Sequence, residues 1–214
     1  VNDFDELTEF VEWEGDVEWI ELPADAAKLA ALNVPAAWHA ALTQSPDVES
    51  CVLELWSGLA AVMPRTRAAF SKKAVALALL RTNKTPLSLV YVFDTGTILT
   101  ARRGYPPVDA LPDIARKFPV DLSPLYALHD GLTHFASGDA GPMPSDEWET
   151  LQDPESGEET LVKILMDGSE MLGFSISEPQ CPAYFVQPED DSVEQIDDVW
   201  ALLDEILAAP IENF

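Results

Sequence analysis

Three apolar segments near the C-terminus, residues 160–166, 171–176 and 183–187, read as β-strands separated by short turn signals. Leu172, Phe174 and Ile176 alternate with polar or small neighbours. Asp167-Gly168 marks the first turn, and the segment around Pro179 and Pro182 marks the second. Links this short join antiparallel strands, because a parallel pair needs a crossover of a dozen residues or more. A helix over 193–208 is expected to follow. Its apolar stripe is Ile196, Val199, Trp200, Leu203, Ile206 and Leu207, Ser192 and Gln195 fit a capping box, and Pro210 fits a stop.

The preceding chain mixes both periods. Residues 3–13 place Phe4, Leu7, Phe10 and Val11 on one helical face, and 17–22 fit a strand. An Ala-rich helix over 24–32 is interrupted by Pro35 and followed by a helical piece carrying Trp38. The clearest N-terminal helix is 46–63, with Ser45 as cap, Pro46 as first residue and Pro64 as its end. The apolar run 74–80 fits a buried strand or a helix equally well. Residues 87–93 and 97–101 read as strands joined at Asp94-Thr95-Gly96. Short helices are expected at 110–117 and 124–130, the second capped by Gly131, and residues 136–159 read as a loop carrying Trp148.

This order describes an α+β chain: helices packed on an antiparallel β-meander, with a helical/β N-terminal extension. Tyr105-Pro106-Pro107 is the natural boundary. It divides a 1–105 α+β region, either an extension packed on the rest or a unit standing alone, from a 106–214 α+β domain.

Charge narrows the function. The chain holds 38 acids and 12 bases, a formal net charge of −26. Residues 1–64 carry 13 acids and one base, 65–117 carry 3 acids and 10 bases, and 118–214 carry 22 acids and one base. The basic middle is expected to pair with its acidic flanks. A field of this sign repels phosphate backbones and anionic membrane surfaces, so neither nucleic acid nor membrane is an expected partner. A basic protein is. No apolar run reaches transmembrane length, no signal-peptide pattern opens the sequence, and two cysteines, Cys51 and Cys181, make no disulfide framework. Cytoplasm is the expected compartment.

Catalytic patterns are thin. Asp94-Thr95-Gly96 matches the aspartic-protease tripeptide, but that mechanism needs two carboxylates and the tripeptide does not recur. A hairpin turn accounts for it. His129, Asp130 and His134 lie close together, yet five-residue spacing does not align the two histidines on one helix face. No phosphate-loop, dinucleotide, nucleophile-elbow or zinc-protease motif is present. The chain therefore reads as a non-enzyme needing no cofactor or metal.

Four of the six tryptophans lie among acids: Trp13 and Trp19 near the N-terminus, Trp148 between Glu147 and Glu149, and Trp200 after Asp197 and Asp198. Trp200 belongs to a helical stripe and is expected in the core. For Trp148 a core role and a role as an anchor in a basic partner are equally open.

The C-terminal half also carries a resemblance. Phe118-Pro119, the Pro-led helix Leu125-Tyr126-Ala127-Leu128-His129-Asp130-Gly131, an acidic loop with Trp148, the strands Met171-Leu172-Gly173-Phe174 and Tyr184-Phe185-Val186, and an acidic closing helix with Trp200 together resemble the SUKH superfamily of immunity proteins. The resemblance covers residues of about 110–208. It implies a small α+β domain without catalysis that neutralises a cognate secreted toxin of bacterial competition. A nuclease is the expected toxin, since it must be basic to hold phosphate. The expected contacts are Asp146, Glu147, Trp148, Glu149, Glu158, Glu159, Glu189, Asp190 and Asp191. The rival reading is a scaffold or regulatory adaptor for a basic partner. A third, an enzyme, would use Asp94 or the His129–His134 cluster.

Overall fold

The architecture comes from a computed structural model that describes residues 4–22, 24, 26–152, 158–187, 189 and 192–214. Two antiparallel sheets and seven α-helices make up the described α+β fold. The first sheet runs β1 (Glu18–Glu21), β2 (Ala74–Arg81), β3 (Ser88–Asp94), β4 (Leu99–Gly104) and β5 (Leu132–His134), in that spatial order. The second contains β6 (Gly141–Pro142), β7 (Glu149–Gln152), β8 (Glu159–Asp167), β9 (Glu170–Ser175), β10 (Ala183–Gln187) and β11 (Ser192–Ile196). Strands β8 to β11 form the meander, and β6 and β7 both pair with β8. The helices are α1 (Asp5–Thr8), α2 (Ala26–Ala31), α3 (Ala36–Gln44), α4 (Val48–Leu55), α5 (Pro64–Lys73), α6 (Ser123–Tyr126) and α7 (Val199–Glu212).

The ambiguous run after Lys73 is β2. It pairs with β1 on one side and β3 on the other, and both of its faces are covered. Leu77 and Leu79, with Leu89, Tyr91 and Phe93 of β3, meet Trp38, Leu42, Val52 and Phe70 from the helices and Trp56 at the end of α4. Ala76, Ala78 and Leu80, with Val90 and Val92, face a second core closed by Phe4, Leu7, Val11 and Phe135. A strand buried on both faces needs no polar alternation, so its periodicity resembles that of a buried helix.

Several expected boundaries are corrected. The first helix is short: α1 gives way to a 3-10 turn at Glu12–Glu14, and Phe10 faces solvent while Phe4, Leu7 and Val11 are buried. The helix expected over 46–63 ends at Leu55. Its cap is Asp47, whose Oδ1 accepts the Ser50 N–H at 2.7 Å. Pro64 starts α5 rather than ending α4, because proline at a first helical position loses no hydrogen bond. Ser192 and Gln195 make no capping box, since both lie in β11, paired to β10. Asp198 caps α7 instead, accepting the Ala201 N–H at 3.0 Å, and Pro210 sits inside the helix. Part of the expected 136–159 loop is ordered as β6, a 3-10 turn at Ser145–Glu147 and β7.

Residues on both sides of Tyr105 share the main core, and β5 from beyond it pairs with β4 through Arg102↔His134 and Gly104↔Leu132. The basic middle segment reaches into both acidic flanks, as the charge distribution suggests. Arg81 pairs with Glu18 and Arg103 with Glu14 on one side, and Arg65 pairs with Glu205 and Glu212 on the other. Arg102 is buried and donates to the Ala140 carbonyl beside β6.

Candidate functional site

The expected contact residues do not form one patch. Asp146, Glu147 and Glu149 are exposed on the 3-10 turn and the start of β7. Glu158 and Glu159 are exposed where β8 begins. Glu189 lies beside the turn where β8 ends, accepting from the Ser169 hydroxyl at 3.5 Å and lining a hollow of about 330 Å³ with Asp167 and Glu170. Nine strand residues put those two ends about 26 Å apart. Asp190 and Asp191 lie outside the described residues.

Trp148 and Glu149 are engaged in the fold. Trp148 is half-buried: its Nε1–H donates to the Tyr126 hydroxyl at 3.2 Å, and its ring packs against Phe118 and Tyr126. Phe118 in turn stacks on Phe174 at 3.9 Å, so Trp148 extends an aromatic column into the core. Glu149 holds Lys163 at 2.5 Å across the β7–β8 pair. Lys163 is the one base in residues 118–214.

Asp146 and Glu147 belong to a different arrangement. They line a cleft of about 450 Å³. Trp13, Tyr105, Pro106, Pro107, Pro86 and Pro144 supply its apolar lining. Asp130 and Glu14 also line it. Asp130 is 9% exposed and its Oδ1 accepts the Ser145 N–H at 2.8 Å, which fixes the turn carrying Asp146 and Glu147. Glu14 is already matched to Arg103. Among the described residues, no basic side chain forms an ion pair with Asp130, Asp146 or Glu147. Partial burial, and then the charges of Asp146, Asp130 and Glu149, push the Glu147 carboxyl above its ordinary pKa.

Each of the two aromatic rings already has a cation close to it. The Arg103 guanidinium lies 5.2 Å from the Tyr105 ring centre, and the Lys84 ammonium lies 5.9 Å from that of Trp13. Trp13 remains 66% exposed, the most exposed large apolar side chain among the described residues. In the sequence Trp13 stands among acids and Tyr105-Pro106-Pro107 marks a boundary. An aromatic followed by two prolines was the available signal for a rigid apolar wall.

The candidate catalytic residues have structural occupations. Asp94 Oδ1 accepts the Gly96 N–H at 2.7 Å, and Gly96 takes a φ of +83° in the β3–β4 turn. His129 is fully buried, with Nε2 2.7 Å from the Tyr91 hydroxyl. Burial pushes its pKa down to about 3, which leaves it neutral. His134 lies on β5 with Nε2 3.1 Å from the Thr100 hydroxyl. Among the described residues no group of three His, Cys, Asp or Glu side chains is placed to hold a metal ion. No described helix is long and apolar enough to cross a membrane.

In comparisons with known proteins, no family model, no curated protein and no solved structure matches the chain.

Proposed function

We propose that this chain is a non-catalytic binding protein that takes a basic protein partner on its acidic surface, and that it serves as an immunity protein neutralising a cognate secreted toxin. The observation that carries the binding reading is charge left without an internal match. Arg65, Arg81, Arg103 and Lys163 are committed to carboxylates of the same chain, while Asp146, Glu147 and Asp130 line an open cleft and, among the described residues, form no ion pair. A surface of this kind steers a basic partner and rejects acidic ones. The toxin, a nuclease by expectation, is the form of partner implied by the resemblance over residues 110–208. A cytoplasmic location fits the reading, because an immunity protein meets its toxin where the toxin acts.

The test is capture from native lysate at moderate salt, followed by expression of the captured protein with and without this chain. One stoichiometric basic protein that is toxic alone and harmless in the pair supports the immunity reading. A basic partner without toxicity supports the adaptor reading instead. A partner whose contact surface is neutral or acidic overturns both.

A further inference from the structure

We propose that the cleft between Trp13, Tyr105 and the Asp146–Glu147 turn binds an arginine side chain presented by an extended segment of the basic partner. This deepens the reading above and rests on it.

The first argument is chemical. A guanidinium is flat, weakly hydrated for an ion, and binds at once to aromatic faces and to carboxylates. The cleft supplies both. Trp13 and Tyr105 line it together with Asp146, Glu147 and Asp130. A purely acidic patch would attract any cation loosely, and a purely apolar groove would not select charge. The combination selects a cation with a stackable face.

The second argument is internal precedent. The fold already uses these two rings to hold cations, Arg103 on Tyr105 and Lys84 on Trp13. The third is rigidity. Pro86, Pro106, Pro107 and Pro144 line the cleft, and proline fixes its own backbone angle. The Ser145–Glu147 turn is pinned from below by Asp130. A preformed site loses little entropy on binding. At about 450 Å³ the volume lies within the range of small-ligand pockets and accommodates one long side chain with its flanking backbone.

Electrostatics point the same way. Glu147 titrates high because burial and its acidic neighbours disfavour its charge. A bound guanidinium relieves that repulsion, so the unliganded cleft is left with charge that a cation stabilises.

The test uses the whole chain and two acetylated, amidated probes, a hexa-arginine and a hexa-lysine peptide, with affinity measured by calorimetry. Two double variants change the net charge equally: Asp146→Asn with Glu147→Gln in the cleft, and Glu54→Gln with Glu194→Gln away from it. All four side chains are exposed, so folding is retained and is checked by urea denaturation. The cleft pair is expected to lose about tenfold in hexa-arginine affinity and the remote pair less than about twofold. Trp13→Ala is expected to weaken hexa-arginine more than hexa-lysine, because the stacking contact belongs to the guanidinium.

Equal losses for the two pairs, with salt-dependent binding intact, would overturn the cleft as the site and leave the acidic-surface reading standing. Binding insensitive to both pairs and to about 0.5 M salt would overturn both. An unchanged arginine-over-lysine preference in Trp13→Ala would overturn the stacking role of that ring.

Discussion

Arg103 and Glu14 form a buried, two-pronged ion pair that ties the N-terminal segment to β4. Nη1 lies 2.6 Å from Oε1 and Nη2 lies 3.1 Å from Oε2. Nε donates to the Ser88 hydroxyl and Nη2 also to that of Thr85, and Thr82 and Thr85 donate to Oε2 of Glu14. Burial raises the Glu14 pKa, but these hydrogen bonds and the Arg103 charge outweigh it and hold the carboxyl below its ordinary value. Glu14→Ala leaves Arg103 charged and unpaired in the interior and is expected to cost about 3–5 kcal/mol in urea denaturation. Replacing both residues with apolar ones is expected to cost less than Glu14→Ala alone. The pair stabilises the fold at neutral pH, and its contribution is lost as pH falls through the lowered Glu14 pKa.

A second carboxylate acts at a distance as a helix cap. Asp204 of α7 is buried, and its oxygens accept the N–H groups of Arg65 at 3.0 Å and Thr66 at 2.7 Å, in the first turn of α5. Met63, which precedes that helix, makes no cap bond of its own. Asp204→Ala is expected to destabilise by about 2 kcal/mol, since it strips two donors of a charged acceptor. Glu205→Gln removes a neighbouring but exposed partner of Arg65 and is expected to cost under about 1 kcal/mol. Chemical denaturation of the two variants side by side checks the contrast.

His129 makes stability depend on pH. Its pKa is pushed from 6.5 to about 3 by burial. Above the unfolded value both states are neutral and nothing is lost. Between 6.5 and about 3 the unfolded chain takes up a proton that the folded chain refuses, so stability falls as pH falls. The slope approaches about 1.4 kcal/mol per pH unit in that window. The difference in unfolding free energy between the wild type and His129→Gln, followed from pH 7 to pH 4, is expected to shrink on acidification.

The same ring restricts its neighbour. A Cβ on Gly104 would come within 2.3 Å of His129 Nδ1, so this β4 position admits glycine alone without rearrangement. Gly104→Ala is expected to cost about 1–3 kcal/mol as an overpacking defect, read as a lowered melting temperature. Gly96, in the open β3–β4 turn, has no atom within 4 Å of such a Cβ. Gly96→Ala is expected to carry the strain of its positive φ alone.

How much was readable from sequence varied by element. The meander of β8, β9 and β10 was legible because one buried face imposes alternation, and the β3–β4 hairpin because Asp94-Thr95-Gly96 is turn chemistry. The strands β5 and β6 were not, being three and two residues long. Periodicity needs more residues than that. In the sequence Trp148 stands in a polar stretch, yet its partners Phe118 and Tyr126 come from elsewhere in the chain and complete an aromatic column. The cleft was hidden for the same reason: Trp13, Tyr105 and Asp146 converge from three distant segments.

The sequence by itself determined the α+β class, the antiparallel meander and an acid–base–acid order that demands internal pairing. These follow from local periodicity, turn chemistry and charge composition, which act over a few residues or over the whole chain at once. The tertiary structure decided which acids are spent and which are left. Glu14, Asp204 and Glu149 look the same in sequence as Asp146 and Glu147, but packing brings a base or a helix end to the first three and an open aromatic cleft to the others. A carboxylate's role depends on its neighbours within a few ångströms, and only the folded chain sets those neighbours.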